Sequence, residues 1–178
     1  MQKLFLHTCC GPCFLGVWEE VKNKFEVTNF FYNPNIQPGT EYKKRLENLK
    51  MAAKDKSQEI VEIGQKVSEH SEAILGIEKR FPSRCIKCYE LRLKKTAIEA
   101  RIRGFRLFST TLLISPYQQH EALKELGNRI ASEAGIEFYY FDWRPYFREG
   151  QKTSIKMNIY RQKYCGCKWS KTEQTNKS

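Results

Sequence analysis

His7-Thr8-Cys9-Cys10-Gly11-Pro12-Cys13 is the stretch on which the reading of the whole chain turns. Just before it, Lys3-Leu4-Phe5-Leu6 is short and apolar, the pattern of a buried strand. Just after it, Phe14, Val17, Trp18 and Val21 recur at the spacing of one helical face. Pro12 suits the first turn of that helix, where its missing N–H would have found no partner anyway. Three thiols are therefore expected where a strand hands over to a helix. In an open α/β sheet such a turn lies at the carboxyl end of the strand, where ligands bind. The amides and dipole of a helix start also lower thiol pKa values. The stretch reads as a thiolate site.

Working outward, Phe25–Tyr32 is a strand rich in aromatics, stopped by Asn33-Pro34-Asn35. A helix is expected from Glu41 to Lys54 and a third strand at Ile60–Ile63, then a helix over Val67–Ile77 broken by Phe81-Pro82-Ser83. Arg84-Cys85-Ile86-Lys87-Cys88-Tyr89 opens a helix running to Arg103 and ending at Gly104. Leu107–Leu113 reads as a strand leading into Ser115-Pro116-Tyr117, and Gln118–Ala134 as a helix closed by Gly135. Phe138–Phe141 reads as a buried strand with Asp142 at its carboxyl end. A helix over Thr153–Arg161 then delivers Tyr164-Cys165-Gly166-Cys167, and the polar tail from Ser170 is expected to fray. Alternating strands and helices point to a Rossmann-like parallel sheet with helices on both faces. The first turn, the turn after Leu113 and Asp142 then share one edge. At 178 residues, without repeats or a linker, one α/β domain spanning 1–178 is expected.

No apolar run approaches a membrane span, and the first residues hold no long apolar h-region, so a cytoplasmic, non-membrane protein is expected. Seven cysteines, an odd number in a reducing compartment, favour metal or redox chemistry over structural disulfides. The formal net charge of +11 is concentrated. Between Lys79 and Arg106 there are ten Lys and Arg against Glu90 and Glu99, and from Arg144 to Ser178 nine against Glu149 and Glu173. Both blocks carry cysteines. A polyanion bound beside the thiols follows, RNA before others, with Arg92 and Lys94 among the cations facing it; the competing reading is a merely solvated charged surface.

Cys10-Gly11-Pro12-Cys13 alone would fit a thioredoxin dithiol, but that leaves five cysteines unexplained. Cys85-x-x-Cys88 is a second pair whose spacing lets both sulfurs face one metal. With Cys9 and Cys165-Gly166-Cys167 beside them, the thiols exceed what a closed tetrahedral zinc site uses, and their distant origins suit an active centre better than a staple. Asp142, one of two aspartates, is a candidate oxygen ligand or general acid; a turn cap is the competing reading. His7 either orients a thiolate or fills the core. Tyr89, Tyr164, Trp143 and Trp169 either stack on a base or simply pack. There is no Walker A motif and no Ser-Gly-Gly loop after the first strand, so ATP chemistry is disfavoured.

Taken together the chain resembles the cobalamin-independent epoxyqueuosine reductases of the tRNA queuosine pathway. The resemblance rests on His7–Cys13, on Arg84-Cys85-Ile86-Lys87-Cys88-Tyr89-Glu90-Leu91-Arg92-Leu93, on Thr110–Tyr117, on Phe141-Asp142-Trp143-Arg144 and on Tyr160–Cys167. These are in the family's order and span nearly the whole chain; Trp143 stands where Phe is expected. The resemblance implies a HUP-like fold and the last step of queuosine synthesis, in which two electrons and two protons remove the epoxide oxygen as water. It also implies an iron–sulfur cluster with a further metal nearby, and no cobalamin. Four thiolates would hold a [4Fe–4S] cluster, with Cys10, Cys13, Cys85 and Cys88 preferred for it. The remaining thiols, Cys9, Cys165 and Cys167, would be shared with a second, mononuclear iron, for which Asp142 supplies oxygen. Expected partners are tRNA carrying epoxyqueuosine and an external ferredoxin- or flavodoxin-like donor, without ATP. Two other classes compete: a zinc-stapled RNA-binding module and an iron–sulfur tRNA sulfur-transfer enzyme.

Overall fold

Apolar and aromatic runs fold into five parallel strands in the computed structural model, which describes residues 1–175: β1 (Gln2–His7), β2 (Phe25–Phe31), β3 (Glu59–Glu62), β4 (Leu107–Thr110) and β5 (Glu137–Phe138). Their order across the sheet is β3-β2-β1-β4-β5. In register, Leu4 pairs with Val27, His7 with Phe30 and His7 with Thr110. Helices α1 (Gly11–Val21) and α2 (Gly39–Asp55) follow β1 and β2; α3 (Val67–Ala73) and α4 (Ser83–Ile102) precede β4, and α5 (His120–Ala134) precedes β5. Beyond the sheet lie α6 (Phe147–Lys156) and α7 (Lys168–Thr175). α1, α2 and α6 pack together on one side, while α4 and α5 pack together on the other. The fold is Rossmann-like α/β, as the alternation required.

The core divides with the layers. Leu4, Phe5, Phe30 and Phe108, all buried, join Leu93, Ala97 and Leu123, while Phe14, Leu15, Phe31, Leu49 and Ile159 form a second cluster. Among the described residues no helix is long and apolar enough to cross a membrane.

The structure departs from the sequence reading in five places. The strand expected over 107–113 ends at Thr110, whose hydroxyl accepts from Leu112 N–H (3.2 Å) and turns the chain into a 3-10 helix over Thr111–Ile114. The strand expected over 138–141 stops at Phe138: the last sheet-like bond is Tyr139 N–H to Phe108 C=O, and the Tyr139 carbonyl is taken by the Ser109 hydroxyl (2.7 Å). The helix expected over 153–161 runs instead from Phe147 to Lys156. Gly150 is what lets α6 lie on α1: a Cβ there would stand 2.7 Å from the Pro12 carbonyl oxygen and 2.9 Å from Gly16 Cα. The helix over 67–77 stops at Ala73, short of Gly76 with its φ of +79°. Finally, the polar segment from Ser170 is helical as far as Thr175; residues 176–178 of the expected frayed tail lie outside the described residues.

Candidate metal centre

Strand order reverses between β1 and β4, and at that point the carboxyl ends of two neighbouring strands splay apart to leave a crevice. The turn after β1 enters it. Cys10 is the N-cap of α1, Pro12 sits in its first turn, and Cys10 supplies no side-chain cap, so its sulfur is left to face other groups. The turn is held from below by buried polar residues. His7 Nε2 donates to Tyr32 C=O (3.1 Å), so Nδ1 accepts from the Thr110 hydroxyl (2.8 Å). Burial, reinforced by Arg92, lowers the His7 pKa to about 3, fixing it neutral in that one tautomer. Asn33 donates to Thr8 C=O (3.0 Å), and Cys9 N–H reaches the Thr111 hydroxyl (3.3 Å).

Cys9, Cys10 and Cys13 thereby converge, with all three sulfurs within 4.8 Å of one another and all three residues buried. Cys9 and Cys10 sulfurs are 3.6 Å apart. Hydrogen bonds from Cys10 and Cys13 hold Cys9 well below the usual thiol range, while burial pushes Cys10 up and the bond to Cys10 pushes Cys13 up. Three soft, buried donors on one point could hold a metal ion.

The other four thiols do not converge as the triad does, but they influence one another through charge. Cys85 and Cys88 lie one turn apart on α4, and both feel the charge of Cys167. Cys165 and Cys167 sulfurs are 3.9 Å apart. The bond from Cys165, aided by Ser170 N–H at the start of α7, lowers Cys167 to about 5. Arg45, a buried residue of α2, fixes this segment by donating to Tyr164 C=O (2.9 Å) and Cys165 C=O (3.1 Å), and Gln37 N–H donates to Gly166 C=O (2.8 Å). Gly166 has a φ of +127°, in a space where a Cβ would meet Ile36 at 2.8 Å.

Arg92 links the triad to the other thiols. It is 3% exposed, donates to Cys88 Sγ (3.7 Å) and Asn35 Oδ1 (3.2 Å), and its charge is felt from Cys88, Cys9 and Cys165. No carboxylate pairs with it among the described residues, and its Nε and Nη2 lack partners. Gln162 covers the triad, its Nε2 donating to Cys10 Sγ (2.9 Å) and Cys13 Sγ (3.7 Å).

All seven cysteines are unbridged; of the preferred cluster ligands, Cys10 and Cys13 lie in the triad and Cys85 and Cys88 on α4. Asp142 is not part of the triad. Arg144 grips it through Nε (2.8 Å), Nη2 (2.6 Å) and its backbone N–H (3.1 Å), and His120 Nε2 is 3.9 Å away. These bonds lower its pKa to about 2, so it is a fixed anion. Trp143 is fully buried and Tyr89 nearly so, its hydroxyl bonded to Gln118 and to Gln119 N–H, so both pack. Trp169 and Tyr164 remain partly open. Arg92, expected to face tRNA, is a buried partner of thiols instead; the signal available in sequence was its position one helical turn after Cys88. Arg45 and Gln162 carry no such signal, because their partners lie about 120 and 150 residues away.

The fold and site define a class: a Rossmann-like α/β protein that places thiols where nucleotide-binding members keep a phosphate loop. Residues 4–173 match the sequence profile of the family described as epoxyqueuosine reductase QueH. Proteins named epoxyqueuosine reductase QueH from Dehalococcoides mccartyi and Thermotoga maritima are 33% and 35% identical; the alignments cover 98% and 99% of this chain and 96% and 94% of theirs. That from Acinetobacter baylyi is 33% identical over 95% of this chain and 80% of its own. The chain belongs to the epoxyqueuosine reductase QueH family, and it is an oxidoreductase.

Proposed function

We propose that the protein reduces the epoxide of epoxyqueuosine at the tRNA wobble position to queuosine, using a [4Fe–4S] cluster and a second iron without cobalamin. Both epoxide C–O bonds break, the two carbons become an alkene, and two electrons and two protons carry the oxygen off as water. The observation that carries the reading is the buried Cys9–Cys10–Cys13 triad at the switch point, in a chain of this family. Arg92 tests whether an anionic cluster suits the site. A buried guanidinium without a carboxylate costs several kcal/mol. Thiolate ligands carrying net negative charge would offset that cost and occupy its two unpartnered donors.

Cys9, Cys10 and Cys13 are assigned to the cluster, and Cys85, Cys88, Cys165 and Cys167 to its remaining position and to the second iron. When bound, the cluster supplies electrons singly and the second iron a Lewis acid for the departing oxygen. Arg92 and Gln162 hold the sulfurs by hydrogen bonds, and neutral His7 fixes the turn that carries them. Of two roles for Asp142, the anionic oxygen ligand accords with its lowered pKa; a carboxyl near 2 has no proton to give at neutral pH. Electrons come from a ferredoxin- or flavodoxin-like donor, ATP takes no part, and the setting is the cytoplasm.

The test is nucleoside analysis of epoxyqueuosine tRNA incubated with anaerobically purified, chemically reduced protein and no cobalamin. Queuosine is the expected product; none from protein with an intact, reduced cluster overturns the assignment. Asp142→Asn should lower turnover by ~10–100-fold with the visible spectrum retained. One equivalent of zinc and no iron would favour a stapled RNA-binding module, and ATP-dependent sulfur incorporation a sulfur-transfer enzyme.

A further inference from the structure

The two basic blocks meet at a cavity that the metal centre does not use. It measures about 410 Å³, within the range in which proteins bind small ligands, roughly 300–1,000 Å³. Lys79 and Arg80, from the turn before α4, line it together with Lys168 and Trp169 from the start of α7. Among the lining residues Glu78 is the one carboxylate. None of Lys79, Arg80 and Lys168 is paired with a carboxylate among the described residues. Trp169 is partly exposed, with Lys168 Nζ 4.8 Å from its ring centroid. His70 is 3% exposed and also lines the cavity; burial first, then the charges of Arg92, Arg84 and Lys168, lower its pKa to about 4. Three cations thus line the cavity, Lys79, Arg80 and Lys168, against the single carboxylate of Glu78. The bidentate pair from Arg84 Nη2 to Glu173 (2.6 Å to each oxygen) ties α7 to α4 and keeps the two basic segments facing one another.

A planar aromatic surface and a set of cations without carboxylate partners in one concave site match a nucleotide, whose base stacks while its phosphate meets the cations. The neighbouring residue, Cys167, is one of the four thiols outside the triad. We propose that this cavity binds one unstacked nucleotide of the tRNA anticodon loop, next to the nucleotide whose base is reduced, and so sets which base reaches the metal centre. This rests on the reading of the protein as an epoxyqueuosine reductase. RNA is favoured over a protein partner because the site is a one-residue hollow, not a flat patch of the size docking requires.

Binding of a fluorescent anticodon stem-loop RNA with unmodified guanine at the wobble position tests the inference without the reaction. Trp169→Ala should weaken binding about 5- to 150-fold, the range of one lost base stack, and Trp169→Phe should restore most of it. Lys79→Glu with Arg80→Glu should lower the dependence of log affinity on log salt by about 1–1.5, while metal content stays unchanged. Arg101→Glu with Arg106→Glu, in the same basic block but at the amino edge of the sheet, should do neither. Equal losses from both pairs would mean a diffuse field, and no loss would mean an idle cavity; either overturns the inference. So does unchanged RNA affinity with slowed reduction by a ferredoxin-like donor, which would make this a donor-docking site. Tighter binding of free AMP or ATP than of the stem-loop overturns it as well. Failure of the reductase reading is seen separately, as absent queuosine despite normal stem-loop binding.

Discussion

Gly150→Ala tests the crossing that brings α6 and the segment behind it onto the thiol turn. Two effects oppose each other. Alanine in a helix interior is favoured over glycine by roughly 0.5–1 kcal/mol. Against this, the new methyl would stand 2.7 Å from Pro12 O, 2.9 Å from Gly16 Cα and 2.9 Å from Gly16 N. All three are backbone atoms of α1, which cannot rotate aside as a side chain can. Forced overpacking of this kind costs about 1–3 kcal/mol. The overpacking term wins, and the variant should lose ~1–2 kcal/mol. At 178 residues each kcal/mol moves Tm by about 2–4 °C, so Tm should fall by about 2–8 °C. Thermal unfolding of the anaerobically purified protein, wild type and variant at matched iron content, measures this. Gly16→Ala is the companion: its methyl meets the movable Ile114 Cδ1 at 2.4 Å and backbone only at 3.1 Å, so its loss should be smaller. A Gly150→Ala protein as stable as wild type, or more so, would refute the claim that backbone contact sets this crossing.

Replacing Cys9, Cys10 or Cys13 singly by Ser should bleach the anaerobic protein, since a hydroxyl is a poor iron ligand at neutral pH; absorbance and iron analysis decide it, and full colour in any one removes that residue from the cluster. Arg92→Gln removes a charge-assisted bond of about 1.5–3 kcal/mol from beside the thiols and should make the centre harder to reduce, shifting its potential more negative by up to about 60–130 mV in an EPR-monitored titration. His70 should stay neutral by NMR down to about pH 4. Its folded pKa lies below the unfolded 6.5, so the unfolded chain takes the proton first. Its share of stability, at most about 3 kcal/mol, is complete above pH 6.5 and lost as pH falls from there to about 4. A His70→Gln protein with the same stability loss on acidification as wild type would count against this.

The parallel sheet was readable because buried strands here are short apolar runs closed by turn residues, and β1, β2 and β3 fall within a residue or so of where Lys3–Leu6, Phe25–Tyr32 and Ile60–Ile63 put them. Propensity failed where a tertiary partner decided. Leu112 and Leu113 look like strand, but the Thr110 hydroxyl takes Leu112 N–H out of the ladder. The last helix begins at Phe147 and not at Thr153 because Gly150 must sit against α1, an approach that no local reading shows. The same division holds at the site. Cys9, Cys10 and Cys13 were legible because five residues of sequence fix their convergence. The separation of the triad from the other four thiols, with a guanidinium between them, depends on how α4 and the 157–167 segment dock, and spacing does not encode that. Asp142 was placed correctly after β5, yet its grip by Arg144, two residues on, is a contact that the competing turn-cap reading anticipated.

Gln162 reaches back across 152 residues to Cys10, and Arg45 reaches forward 119 and 120 residues to hold the carbonyls of Tyr164 and Cys165. During synthesis this means that β1, its turn and much of the sheet leave the ribosome long before their cover does. Until residues 162–167 emerge, the triad stands open on an otherwise nearly finished scaffold, and Arg45 lacks the Tyr164 and Cys165 carbonyls that only the late segment supplies. Contacts so distant in sequence form slowly. The chain thus has a built-in interval in which Cys9, Cys10 and Cys13 are gathered but uncovered, before the late segment closes over them.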